Sequence, residues 1–430
     1  MFRLIALAFA ALLLAAPHAR AQSLIRDAEI EYALKELAKP VLSAAGLSAS
    51  QIRILVIGDS SLNAFVTDSQ TMFLHSGLIL KLESAAQLQA VMAHEAAHIA
   101  NGHMARRTQN VRAASRAARL GILLAAAAAV SGNGEAAGPL AAGTAEAARR
   151  SFFAHTRAEE SSADQAGVRY MVRAGIDPQA AVEVLDIFRG QEALSVSRQD
   201  AYTRTHPLTR DRHRAMAGFA ASVPRSAPDP TAQYWFARAQ GKLSAFTRNS
   251  SWTLRRARND NSQIGVMRRA VAQHLKPDPR RAFALADQLI AMAPTDPFAH
   301  ELRGQIFLES RQPAAAVSAY GQAVRLAPNN ALILGGYGRA LLAAGQPGQA
   351  LDALERARAR DGEDPRILRD LGQAYAKAGN NGMASLVTAE RYALSGRLQD
   401  AALHAERASG LLPRGSASWQ RAQDMLRAAK

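Results

Sequence analysis

A period of 34 residues in the C-terminal half constrains the fold of this 430-residue chain more than any other feature. Three classes of side chain recur at that spacing: one glycine, one alanine and one large apolar residue in each repeat. They are Gly304, Gly338 and Gly372; Ala316, Ala350 and Ala384; and Phe307, Leu341 and Tyr375. A small residue lets two helices approach closely and a large one fills the remaining gap, so the period predicts stacked helical hairpins.

This packing is typical of tetratricopeptide (TPR) repeats, which present a concave surface to a protein partner and carry no chemistry of their own. Weaker copies of the pattern precede and follow the three clear ones, and the Pro-containing stretch Pro224–Pro230 marks a domain boundary. We therefore predict a signal peptide at residues 1–21, a folded domain at 22–223, a connecting segment at 224–261 and a repeat domain at 262–430. The predicted fold class is mainly α with a small β-sheet.

The N-terminus has the three parts of a cleavable secretory signal. A basic start, Met1–Arg3, precedes the apolar run Leu4–Ala16, and Ala19-Arg20-Ala21 supplies a cleavage site before Gln22. This apolar run is too short to cross a bilayer of about 30 Å. We expect an exported chain, with an uncleaved membrane anchor as the alternative.

Composition excludes several classes of site. The chain has no cysteine, which excludes disulfides, thiolate metal sites, iron–sulfur clusters and a cysteine nucleophile. Any metal must therefore be held by His, Asp or Glu. With 52 Lys+Arg against 36 Asp+Glu, the formal net charge of +16 attracts anionic partners. Export argues against nucleic acid, and leaves acidic proteins or a peripheral membrane contact.

Short β-like runs and helices are mixed in the first half of the chain. Gln51–Ile57 and Thr71–His75 are rich in apolar and β-branched residues, and the turn-type residues between them predict a small hairpin or meander. Ala86–Ala105 and Ala158–Ala174 have helical patterns. The Ala-rich segment Ala113–Arg149 is interpreted as a buried helical hairpin, with a helix lying on a membrane surface as the alternative.

The sequence His94-Glu95-Ala96-Ala97-His98 is the strongest local signal for chemistry. Residues i and i+4 of a helix lie about 40° apart, so both imidazoles face one metal ion. Glu95 then sits where its carboxylate can take a proton from a metal-bound water. This spacing predicts a zinc hydrolase site, and two unrelated helical histidines are the alternative.

Zinc needs a third protein ligand and one open position. The metzincin pattern is absent because residues 101 and 104 are not Gly and His, and His103 should point away from the metal on a continuous helix. The acidic cluster Glu159, Glu160 and Asp164 offers a carboxylate from the second helix. Glu160 and Asp164 share one face, which would let Glu160 bind the metal while Asp164 accepts a hydrogen bond from a ligand imidazole. A solvated acidic cluster is the alternative on spacing alone.

Further residues resemble a known family. Arg157–Asp164 has the pattern R-x-x-E-x-x-A-D, and with the HExxH motif it resembles the zinc metallopeptidase family that includes HtpX and the CAAX prenyl protease. Asn63-Ala64-Phe65 is similar to the N-A-F element of that family. His206-Pro207, with Arg212 six residues after the histidine, is similar to its H-P-x-x-x-x-R element.

The resemblance implies a zincin-like metallopeptidase domain in residues 22–223, with Glu160 as the third zinc ligand. It places Asn63 and Ala64 in the substrate-binding region. His206 and Arg212 would stabilise an oxyanion, or His206 would occupy the fourth zinc position and hold the enzyme latent.

These features predict a periplasmic endopeptidase that binds one Zn²⁺ per chain through His94, His98 and Glu160 and uses Glu95 as its general base. The resemblance further implies that its substrates are unfolded or misassembled outer-membrane β-barrel proteins, with the TPR region docking on the assembly machinery and a peripheral contact at the outer membrane. The alternative is a TPR chaperone or adaptor for outer-membrane protein assembly with little proteolytic activity.

Overall fold

The computed structural model describes residues 24–106, 157–191, 198–199, 201–207 and 209–428. The predicted signal peptide at 1–21 and the Ala-rich segment 113–149 lie outside these residues. Within the described ranges, no helix is long and apolar enough to cross a membrane. The fold is mainly helical with one small sheet, as the sequence predicts.

The sheet contains four strands in the order β1-β2-β4-β3. They are β1 (Leu24–Ile25), β2 (Arg53–Ile57), β3 (Ala64–Val66) and β4 (Thr71–His75). Strands β2 and β4 pair in parallel, with Arg53 opposite Thr71, whereas β1 and β3 pair antiparallel with their neighbours. The predicted hairpin between β2 and β4 is therefore wrong. Parallel strands need a crossover connection, and the segment between these two supplies it and contributes β3 to the outer edge of β4.

The sheet belongs to a mainly helical region, in which residues 103–106 are also helical and seven longer helices are described. They are α1 (Ala28–Ala44), α2 (Ser76–Lys81), α3 (Ala85–Ala100), α4 (residues 157–173), α5 (Gln179–Ile187), α6 (Ala201–Thr205) and α7 (Arg210–Ala221). Helix α3 begins where Ser84 caps the backbone N–H of Gln87. It ends at Ala100, earlier than predicted, because Gly102 adopts a positive φ of 65° that terminates the helix.

The rest of the chain is a series of helices. A long helix, α8 (Pro230–Thr247), and a short one, α9 (Ser250–Arg256), precede five helical pairs. The pairs are α10 (Gln263–Leu275) with α11 (Pro279–Met292), α12 (Pro297–Glu309) with α13 (Pro313–Leu326), α14 (Ala331–Ala343) with α15 (Pro347–Arg360), α16 (Pro365–Lys377) with α17 (Asn381–Leu394), and α18 (Leu398–Leu411) with α19 (Ala417–Ala428).

The periodic glycines lie where paired helices touch. A Cβ atom on Gly304 would lie 2.6 Å from Cδ2 of Tyr320, and one on Gly338 would lie 2.4 Å from Cγ of Leu354. A side chain at either position would displace the side chain that it meets on the second helix of its pair. The small residues of the 34-residue period are thus required by close packing, as predicted.

A buried set of charges joins the two halves of the molecule. The ammonium group of Lys242, on α8, is fully buried and lies 3.0 Å from Asp27 Oδ2, 3.2 Å from Glu29 Oε2 and 3.4 Å from Glu301 Oε2. Arg238, one turn earlier, pairs with Glu29 at 2.5 Å and with Asp296. We call these residues (Asp27, Glu29, Arg238, Lys242, Asp296 and Glu301) the junction network. It attaches the segment before α1 to helix α8 and to the repeats.

The same N-terminal segment covers the middle of the repeat array. Residues 25–28 and Ile30 line a cavity of about 430 Å³ together with residues from α12, α14 and α16, the first helices of three successive pairs. Arg26 also reaches the loop before α16, where its guanidinium lies 2.5 Å from Asp361 and 3.3 Å from Asp364. The face that the central repeats would offer to a partner is therefore occupied by the chain's own N-terminal segment.

Candidate metal centre

Four side chains from three parts of the chain meet in one buried cluster. His94 and His98 lie on α3, Glu160 lies on α4, and His206 directly follows α6. One nitrogen or oxygen atom from each lies within 4.8 Å of the others, and all four residues are buried. Nε2 of His94 is 3.1 Å from Nε2 of His98 and 3.4 Å from Oε2 of Glu160. This is the cluster in which the sequence-predicted ligands could hold a metal.

His206 joins the cluster from the segment that directly follows α6. Its Nδ1 lies 3.2 Å from both carboxylate oxygens of Glu160 and 3.4 Å from Nε2 of His94. Its Nε2 lies 3.1 Å from the carbonyl oxygen of Ala64 and 3.4 Å from Oε1 of Glu95. One imidazole therefore contacts the candidate ligands, the candidate base and strand β3.

Strand β3 is an edge strand, and its pairing shows which of its groups point outward. The backbone N–H of His75 donates to the carbonyl of Asn63. The backbone N–H and C=O groups of Asn63 and Phe65 therefore point toward β4, whereas those of Ala64 and Val66 point toward the open edge. The outward carbonyl oxygen of Ala64 is within hydrogen-bond distance of Nε2 of His206. The side chain of Asn63 accepts a hydrogen bond from the hydroxyl of Thr205, which ties the strand to the helix before His206.

Glu95 is fully buried beside this cluster, and neither of its carboxylate oxygens has a hydrogen-bond partner among the described residues. Burial raises the pKa of this carboxyl, and the positive charges of His206 and His94 partly oppose that shift. An unpartnered buried carboxylate destabilises a fold unless it meets a cation or a bound ligand. Glu95 is therefore placed to meet a group bound in the cluster, and within the described residues its Oε1 lies 3.4 Å from Nε2 of His206.

The histidines and carboxylates of the cluster also shift one another's pKa. Burial alone would lower the pKa of His94, but hydrogen bonds to Asp164 and Glu160 raise it to about 10. Burial opposes ionisation of Glu160, yet the positive charges of His206 and His94 hold its pKa well below the usual range. The buried carboxylates thus stabilise a positive charge in the site, and a divalent cation would supply such a charge. The donor set fits a metal ion.

Asp164 and Arg212 support the cluster from behind. Oδ1 of Asp164 lies 3.1 Å from Nδ1 of His94, and the guanidinium of Arg212 holds both oxygens of Asp164 at 2.7 and 2.8 Å. Arg212 also lies 3.1 Å from Glu160 and donates to the carbonyl of Pro207. Because these contacts occupy its donors, the geometry does not favour the oxyanion role expected for Arg212. Its guanidinium orients Asp164 and Glu160.

Two residues near the cluster had not been assigned to it. His103 is buried, and its Nδ1 lies 3.0 Å from Nδ1 of His98, on the side of that ring away from the cluster. The expectation that it points away assumed a continuous helix, which Gly102 ends. Tyr202 of α6 packs against His206 with ring centroids 4.6 Å apart and the two rings tilted by 35°. Its position four residues before His206 was the available signal. Glu159 does not join the cluster.

Comparison with known proteins agrees with this architecture. Residues 25–220 match the model of peptidase family M48, and residues 307–369 and 341–390 match a tetratricopeptide repeat model. The beta-barrel assembly-enhancing protease of Escherichia coli (strain K12) is 31% identical over 193 residues, which are 44% of this chain and 38% of that protein.

Two further relatives extend the comparison. The putative beta-barrel assembly-enhancing protease of Vibrio cholerae is 30% identical over 226 residues, covering 51% of this chain and 45% of that protein. The mitochondrial metalloendopeptidase OMA1 of Schizosaccharomyces pombe is 28% identical over 205 residues, covering 46% of this chain and 56% of that protein. The matches to the two bacterial proteins span less than half of their length. The chain thus contains a domain of peptidase family M48 followed by tetratricopeptide repeats, as the motifs and the 34-residue period predict.

Proposed function

We propose that this chain is a zinc-dependent endopeptidase whose zinc ligands are His94, His98 and Glu160. The observation that carries the proposal is the buried cluster of these three residues and His206 beside an unpartnered Glu95. Two imidazoles and one carboxylate are a donor set that suits zinc, and three protein ligands leave a position open for chemistry. When bound, zinc polarises a peptide carbonyl and lowers the pKa of water at the site.

Glu95 is the general base in this proposal. It follows His94 directly on α3, and burial raises the pKa of its carboxyl toward the range of a useful proton carrier. Glu95 takes a proton from the attacking water and delivers it to the leaving amine. Asp164 fixes the ring of His94 through Nδ1, so that Nε2 faces the cluster, and Arg212 holds Asp164 in place.

His206 is proposed to hold the site latent. Its Nδ1 faces the candidate ligands, and its Nε2 is within hydrogen-bond distance of the Ala64 carbonyl on the outer edge of β3. An extended substrate that pairs with this edge needs the same carbonyl. Substrate binding therefore requires His206 to leave, which would free Ala64 and the fourth metal position together. Asn63 contributes by fixing the strand rather than by touching substrate.

The proposed substrates are misfolded or stalled outer-membrane β-barrel proteins in the periplasm, with the repeats docking on the assembly machinery. The names of the bacterial relatives support this assignment, as does the signal peptide that the sequence predicts. A TPR adaptor with little proteolysis is the second candidate, and the 3.2 Å distances from His206 Nδ1 to both carboxylate oxygens of Glu160 support it.

The test measures bound metal by mass spectrometry and casein hydrolysis on the mature chain and on His206→Ala and Glu95→Gln. We expect one zinc per chain in all three, more hydrolysis with His206→Ala and none with Glu95→Gln. His274→Ala, in the repeats, is the matched histidine control and should leave both readouts unchanged. Absence of zinc would overturn the ligand assignment, whereas bound zinc without hydrolysis in any form would favour the adaptor.

A further inference from the structure

The C-terminal end of the repeat array differs from its middle. The N-terminal segment covers the central face, but α16, α17 and α18 border a separate cavity of about 570 Å³. We call it the end cavity. Its lining residues are Arg369, Gly372, Gln373 and Ala376 of α16, Asn381, Ala384, Ser385, Thr388 and Arg391 of α17, and His404, Arg407 and Leu411 of α18. This part of the array is open to a partner.

The lining of the end cavity carries positive charge and no carboxylate. Three of its residues are arginines: Arg369, Arg391 and Arg407. Arg369 pairs with Asp370 at 2.8 Å. Arg391 lies over the ring of Tyr392, and across the described ranges of the chain neither Arg391 nor Arg407 has a carboxylate partner. Two guanidinium groups at one recess are therefore available to an anionic ligand.

Some arginines of the array do have carboxylate partners. Arg303 pairs with Asp287 and Arg358 pairs with Glu390, at 2.7 and 2.8 Å. Arg391 and Arg407 differ from these two because they border a recess that contains no carboxylate. The N-terminal segment lines the cavity of the central repeats but not the end cavity.

The neutral groups of the end cavity suit a peptide better than a lipid surface. Gln373, Asn381 and Ser385 offer donors and acceptors of the kind that pair with peptide backbone. Leu411 lies at the same cavity and is 56% exposed, so it offers an apolar contact. A recess between helices admits a side chain or a strand of peptide, whereas a flat bilayer meets protruding side chains.

We propose that the end cavity binds an acidic peptide segment of a partner protein, with its carboxylates on Arg391 and Arg407 and its backbone on the amide side chains. The proposal rests on the docking role proposed for the repeats, and it gives that role a place and a chemistry. It requires no peptide hydrolysis. Failure of binding would therefore leave the metal-site proposal standing.

The test uses the full mature chain and a rhodamine-labelled decapeptide in which Glu and Leu alternate, followed by fluorescence anisotropy. A probe with Gln in place of each Glu is the ligand control. We expect Arg391→Gln and Arg407→Gln each to weaken binding of the Glu probe about 10-fold, and added salt to weaken it further. Arg414→Gln removes the same charge from an exposed site outside the cavity and should change binding less than about 2-fold.

Three results would overturn the proposal. One is equal affinity for the Glu and Gln probes, and another is equal loss in Arg391→Gln and Arg414→Gln. The third is arginine-dependent co-sedimentation with phosphatidylglycerol vesicles without binding of the Glu probe, which would assign the cavity to a lipid surface. Arg391→Lys keeps the charge but loses the bidentate fork, so we expect intermediate affinity. Mass spectrometry confirms that the probe remains intact during the measurement.

Discussion

The molecule contains two buried groups of charged side chains, and their charges are compensated differently. In the junction network, Lys242 and Arg238 lie among the carboxylates of Asp27, Glu29 and Glu301, so the chain supplies its own cations. In the metal cluster, Glu160 meets imidazoles and one edge of Arg212. Glu95 has no hydrogen-bond partner among the described residues.

The difference separates a structural role from a chemical one. Burying a charge is costly unless it is paired, and a chain that needs only stability pairs it internally. In the metal cluster the only guanidinium among the described residues is that of Arg212, which contacts Glu160 and Asp164 from behind and leaves the ligand atoms that face the cluster free for a metal ion. The junction network should therefore respond to mutation through stability, and the metal cluster through metal binding and rate.

The largest expected effect is on catalysis. Glu95→Gln removes the proposed base and should lower the rate of peptide hydrolysis by about 10³-fold or more, because proton transfer contributes that much. The melting temperature and the zinc content should not fall, since Glu95 is not a proposed ligand. Casein hydrolysis and metal analysis on the same sample measure both. A large loss of stability would place Glu95 with the structural charges.

For the junction network we expect mutation to lower the stability of the fold. Lys242→Met leaves Asp27, Glu29 and Glu301 buried without their shared cation and should destabilise the fold by about 3–5 kcal/mol. Lys276→Met, at an exposed lysine of the repeats, is the control and should stay within about 0.5 kcal/mol. Urea unfolding measures both variants. Equal effects would contradict a structural role for the network.

Metal removal should affect one cluster alone. At a hundredfold excess of zinc over its Kd, binding stabilises the native chain by about 2.7 kcal/mol, and a chelator should remove that amount. Glu160→Gln should abolish the zinc-dependent shift in melting temperature, whereas Glu159→Gln should retain it because Glu159 lies outside the cluster. A zinc shift that survives in Glu160→Gln would refute its assignment as a ligand.

The smallest effect concerns pH at the junction. Burial, aided by Asp27 and Glu29 and opposed by Lys242, raises the pKa of Glu301 to about 7. The stability that this protonated group contributes is present below its usual pKa near 4.5 and is lost as the pH rises through 7. Glu301→Gln cannot ionise, so it should be more stable than the wild type by roughly 1 kcal/mol at pH 8, and the difference should disappear at pH 4, below the usual pKa of the carboxyl.

Glu309→Gln is the control for this pH effect. A hydrogen bond from His274 lowers the pKa of Glu309, so its replacement should bring no gain at pH 8. Thermal melting of both variants at the two pH values makes the comparison. A gain in both variants at pH 8 would show that net charge, rather than burial at the junction, is responsible.

The positions of some site residues could be predicted from the sequence, and those of others could not. His94 and His98 could be paired from spacing alone because one helix sets their geometry. The link from His98 to His103 was missed because a single glycine turns the chain after α3. The position of Arg212 behind Asp164, rather than at an oxyanion, depends on how α7 packs against α4, and no local pattern reports that.

Short-range periodicity in the sequence was sufficient to predict part of this protein's architecture. The 34-residue period predicted the repeats, and the i, i+4 spacing predicted a histidine pair, because both follow from the geometry of single helices. Tertiary structure alone decided the parallel pairing of β2 with β4, the arrival of His206 at Ala64, and the burial of Lys242 among three carboxylates. These contacts join residues distant in the chain, and their energies depend on packing and loss of solvent, which the order of residues does not display.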